Sequence, residues 1–80
     1  MPDRIIFTTH AEKRLRERAI DKAEIEYAVA HASVQVPGKN PGTIRIIAEM
    51  GFERKLSVIY KRVSERAIVV VSAYWVEGQP

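Results

Sequence analysis

Three side chains in the stretch THAEKRLRER (residues 9–18) have the types and spacing to act together on a phosphate: His10, Arg14 and Arg18. They recur every four residues, which on an α-helix lines them along one side. Lys13 and Glu17 flank that line. A helix that starts just before His10 also offers its first-turn N–H groups and the positive end of its dipole, which favour an anion. A neutral imidazole beside a guanidinium suits phosphodiester cleavage. The imidazole accepts the proton of a ribose 2′-hydroxyl, and the arginine offsets charge growing on the phosphorus-bound oxygens. The same residues have a plainer reading. A first-turn histidine is commonly just exposed, Lys13 and Glu17 make an ordinary i, i+4 surface pair, and arginine stems lie across apolar edges. Spacing alone favours the plainer reading.

Other groups offer less. His31 falls at the end of a second helical pattern, where its cation suits the helix C-terminus. No spacing of ligands supports a metal site, there are no cysteines, and no Gly-rich phosphate loop or H-E-x-x-H motif occurs. Neither a metal nor another cofactor is therefore expected. Tyr74 and Trp75 are neighbours on a strand pattern, so one faces the helices and the other the open sheet face. The outward one, with Arg45, Lys55 or Lys61 nearby, could stack on a base. Covering an exposed sheet face is the commoner use of such a residue.

The elements that must carry these residues are well marked. Thr9 followed by Glu12 fits a capping box, with a first helix over about residues 10–18 held by Ala11, Leu15 and Ala19. Asp21 and Glu24 repeat the signal at once. The second helix, about residues 22–31, sets Ile25, Ala28, Val29 and Ala32 on one face, with Ile20 and Ile25 spaced as a hydrophobic staple. From Ser33 the period changes to two. Val34 and Val36 alternate, PGKNPG (residues 37–42) marks a loop, and strand patterns follow at 43–49, 55–63 and 67–76. The last is apolar on both faces and so belongs in the sheet interior. Residues 4–7 read as a short N-terminal strand, and residues 78–80 as a loose tail. The expected fold is α+β: a helical hairpin packed on one face of an antiparallel sheet, one domain spanning residues 1–80.

Composition fits that size. Of 80 residues, 46% are apolar and 29% charged, ordinary for a globular domain. Residues 1–32 carry six Lys/Arg and six Asp/Glu, whereas 33–80 carry seven and four, so the excess of +3 lies in the second part. An anionic partner is compatible with that excess but not required by it. The apolar run before Thr8 is too short for a signal-peptide core, and residues 67–71 cannot span a bilayer. A cytoplasmic protein with no membrane partner is expected.

The stretch HAEKRLRERAIDKAEIEYAV resembles a widespread small bacterial and phage family of unknown function. Its first helix follows Ser/Thr-x-His-Ala-x-x-Arg-x-x-Glu-Arg-x-Ile, matched here by Thr8, His10, Ala11, Arg14, Glu17, Arg18 and Ile20. The final IVVVSAYW is similar to the family's last strand, with Ser72 where threonine is frequent. That family is grouped with RelE- and ParE-like toxins and their ribonuclease relatives. The resemblance implies the same α+β fold and metal-independent RNA cleavage, free or ribosome-bound mRNA being the substrate and an antitoxin the partner. His10 and Arg14 are carried over as catalytic residues. Lys13, Arg18, Lys55 and Tyr74 are then candidates for holding phosphate or RNA, and Lys55 or Tyr74 for the second acid/base. The alternative it implies is a non-catalytic, ParE-like module that binds a protein.

Overall fold

The computed structural model describes residues 4–76. Seven elements follow one another: β1 (Arg4–Phe7), α1 (Thr9–Glu17), α2 (Lys22–His31), β2 (Val34–Pro37), β3 (Thr43–Gly51), β4 (Arg54–Arg62) and β5 (Ala67–Val76). The expected tail at 78–80 lies outside the described residues.

The five strands form one sheet in the order β1-β5-β4-β3-β2. The last four are joined antiparallel, as their short connections require, but β1 lies parallel to β5. The sheet is therefore mixed rather than wholly antiparallel. Nothing in the pattern of residues 4–7 distinguishes the two directions. Strand β5 takes the interior place its two-sided apolar character called for.

Both helices cover the same sheet face, α1 against β5 and α2 against β3 and β4. The core between them joins Ala11 and Leu15 of α1, Ile25 and Ala28 of α2, Ile46 and Ala48 of β3, Leu56, Val58 and Tyr60 of β4, and Ile68, Val70 and Ala73 of β5. The inward residues of β5 change parity between Val70 and Ala73. The cause is a bulge: Ile59 pairs with Ser72 and Tyr60 with Val70, leaving Val71 as the extra residue. Beyond it the alternation is reversed, which turns Trp75 toward the helices and Tyr74 to the open face.

The start of α1 departs from the expected cap by one residue. Thr8, not Thr9, is the N-cap; its Oγ1 accepts from the Ala11 N–H at 2.9 Å. Glu12 is free of the box and instead pairs with Lys22 of α2 at 3.0 Å. The second cap is where it was expected, with the Asp21 N–H donating to Glu24 Oε1 at 2.9 Å. Between the helices the chain turns at Ala19, whose φ of 55° is left-handed. The Ile20 N–H reaches the Leu15 carbonyl at 2.9 Å and the Ala19 N–H reaches Arg16 at 3.4 Å. This is a Schellman closure, with buried Ile20 and Leu15 in the positions that usually touch, but with alanine where glycine is usual.

Candidate active site

The cap at Thr8 fixes where α1 begins, and the buried pair Ala11 and Leu15 fixes its rotation on the sheet. His10 and Arg14 are then left beside the anchored stripe, exposed and half-buried respectively. They meet: Arg14 Nε donates to His10 Nε2 at 3.3 Å. A bond in that sense uses the Nε2 lone pair and leaves the ring proton on Nδ1. The same guanidinium donates through Nη1 to Glu17 Oε1 at 2.9 Å. Arg14 thus bridges an imidazole and a carboxylate, and Glu17 pairs with Arg14 rather than with Lys13.

Arg18 continues the line but points back to the sheet. Its Nη1 donates to the Ala73 carbonyl at 2.7 Å, and its own carbonyl accepts from Trp75 Nε1 at 3.0 Å. Over the Trp75 ring lies the Arg54 guanidinium, 3.8 Å from the centroid. Two groups of contacts therefore lie along α1, His10–Arg14–Glu17 and Arg18–Trp75–Arg54, joined through the backbone, where the Arg18 N–H donates to the Arg14 carbonyl at 3.0 Å. Neither Arg54 nor the pairing of Glu17 with Arg14 stood out in the sequence. Glu17 was masked by its spacing from Lys13, and Arg54 by its place at a strand end.

Other candidates lie elsewhere. Lys13 is exposed on α1. Tyr74 is on the open sheet face, with the Arg45 guanidinium 5.7 Å from its ring, and Arg45 Nε donates to Ser57 Oγ at 3.0 Å. Lys55 pairs in register with Glu49 and Val76, sharing the open face with Ser57 and Tyr74. Neither Lys55 nor Tyr74 converges with His10, because the sheet stands between them. His31 stacks on Tyr27, 4.3 Å between ring centres, with Nδ1 3.1 Å from the Tyr27 carbonyl oxygen. Among the described residues no group of three or more His, Cys, Asp or Glu is placed to hold a metal ion, and no helix is long and apolar enough to cross a membrane.

Two helices on one face of a five-stranded mixed sheet is a fold found in the crystal structure of the Brucella abortus ribonuclease toxin BrnT. That chain is similar to this one with a TM-score of 0.71 and 19% identity, over 92% of this chain and 96% of that one. No curated protein sequence matches. The model of the family described as "Domain of unknown function (DUF4258)" matches residues 7–75, and the chain belongs to that family.

Proposed function

We propose that the protein is a toxin-type RNA endonuclease, of the RelE-like group its sequence resembles, that cleaves by general acid/base chemistry without a metal ion. One observation carries the reading: a guanidinium holds an imidazole and a carboxylate together on the exposed side of a capped helix. The fold likeness to a ribonuclease toxin supports it.

In this reading a substrate phosphate takes the N–H groups of Arg14, which frees the His10 Nε2 lone pair. His10 then removes the 2′-hydroxyl proton as that oxygen attacks phosphorus, and Arg14 offsets the charge on the phosphorane. The P–O5′ bond breaks, and the departing oxygen takes a proton from a second acid. Glu17 is held as a carboxylate by Arg14 and has no proton to give, and Lys55 and Tyr74 lie across the sheet, so that acid is a water molecule of the solvent. The products are a 2′,3′-cyclic phosphate and a 5′-hydroxyl. Lys13 adds positive charge along the RNA, whereas Arg18, turned to the Ala73 carbonyl, holds the end of α1 on the sheet.

The test is incubation of purified protein with mRNA, free and ribosome-bound, in EDTA. Cyclic phosphate ends that vanish with His10→Ala are expected. RNA left intact in every condition rules the reading out.

A second reading has its own observation. The open sheet face carries Ile6, Val34 and Val36, all exposed and covered by neither helix. A ParE-like module that binds an antitoxin or another protein through that face is the alternative, and a stable co-purified complex without RNA cleavage favours it.

A further inference from the structure

The β3–β4 turn is built against its own backbone preference. Gly51 pairs with Arg54, so Phe52 and Glu53 make a two-residue loop, with φ values of 53° and 62°. Left-handed geometry at both central positions marks the tight hairpin turn that favours Asn-Gly. Phenylalanine is a poor choice there, and the fold returns nothing for it, since Phe52 is 96% exposed. Local choices that oppose folding without an internal gain concentrate at functional sites.

The neighbours say what such a tip would meet. The Arg54 guanidinium lies on Trp75, the ring tied to Arg18 at the end of α1. Among the described residues no carboxylate pairs with Arg54, although Glu49 and Glu53 line the same cleft with Arg54 and Lys55. Arg54 and Lys55 leave the strand on opposite faces and flank the turn with positive charge. A bare aromatic ring, cations for phosphate and carboxylates that can accept from the amine of a base edge match the parts of an unstacked nucleotide. Glu49 and Glu53 repel an acidic peptide and RNA phosphates alike; what favours RNA is the bare ring, which has a base face to stack on.

We propose that the β3–β4 hairpin end is a subsite for single-stranded RNA, with Phe52 stacking on a base and Arg54 and Lys55 holding its phosphates. The choice of RNA rests on the nuclease reading above. The test is chosen to separate the two: binding of a labelled 2′-O-methyl dodecamer, which cannot form a cyclic phosphate, followed by fluorescence anisotropy. Phe52→Ala is expected to weaken binding about five- to a hundredfold, the range of one lost base stack, and Phe52→Trp to preserve it. The double change Phe52→Asn with Glu53→Gly is expected to raise the melting temperature yet weaken binding as Phe52→Ala does. Wild-type protein that does not bind the oligonucleotide, or affinity unchanged in Phe52→Ala, overturns the subsite. Loss of a protein partner in Phe52→Ala with RNA affinity unchanged also overturns it. Binding that depends on Phe52 without any cleavage leaves the subsite standing and removes only the nuclease reading.

Discussion

The indole nitrogen of Trp75 donates to the carbonyl of Arg18 at 3.0 Å across 57 residues of chain, while the Arg18 guanidinium returns a bond to Ala73. The last turn of α1 is thereby tied in both directions to β5. Trp75→Phe removes the indole donor and leaves the partly buried carbonyl without it. A loss of about 1 kcal/mol is expected, read from the urea midpoint at unchanged slope. A midpoint equal to wild type would mean that the tie adds nothing to the fold.

His10 and Arg14 lie on the outer side of α1, with no role in the core. His10→Ala and Arg14→Ala are expected to change stability by no more than about 0.5 kcal/mol, the usual range for surface positions. If they form the site, sulfate or phosphate will raise the melting temperature of wild type more than that of either variant. Equal anion stabilisation in all three proteins would place the anion elsewhere.

Leu15 is 4% exposed and is the main apolar anchor of α1. Leu15→Ala is expected to cost about 2–5 kcal/mol, the range for large-to-small changes in a core. If His10 and Arg14 form the site, RNA cleavage measured well below the shifted melting temperature will fall too, because the anchor sets the rotation that exposes them. A cost under about 1 kcal/mol would show that α1 is held chiefly by Arg18.

Ala19 closes α1 at a φ of 55°. Glycine carries no penalty in this region, so Ala19→Gly is expected to stabilise the protein by up to about 1 kcal/mol, less the extra freedom it gives the unfolded chain. Thermal denaturation reads this directly, and a lower melting temperature would contradict the Schellman geometry.

The sequence carried the elements better than their relations. Both helices, the hairpin strands and the interior place of β5 follow from periodicity and caps, which are local. Thr8 and Thr9 carry the same side-chain oxygen, so the cap could not be separated by type. The cue that favoured Thr9, Glu12 three residues on, is spent on Lys22, a tertiary partner. The direction of β1 depends on a strand more than sixty residues away. Which of Tyr74 and Trp75 turns inward depends on a bulge at Val71 that strict alternation does not anticipate. The line of His10, Arg14 and Arg18 was legible from spacing, but its chemistry was not. That Arg14 joins His10 to Glu17 is a matter of rotamers, and that Lys55 and Tyr74 are cut off from them is a matter of which face each strand residue takes.

The parallel pairing of β1 with β5 has a consequence for how the protein comes into being. Strand β5 is the last of the seven elements to be synthesised, yet it lies between β1 and β4 and underlies α1. Until it is made, β1 has no neighbour in the sheet, Leu15 has no floor, and Arg18 lacks both of its partners on β5, the Ala73 carbonyl and the Trp75 indole. The helical hairpin can form early from local contacts, but the sheet closes only through contacts between the two ends of the described chain, which are slow to find. A nascent chain therefore carries the residues of the site without the frame that aligns them. That frame arrives late in synthesis, set by topology.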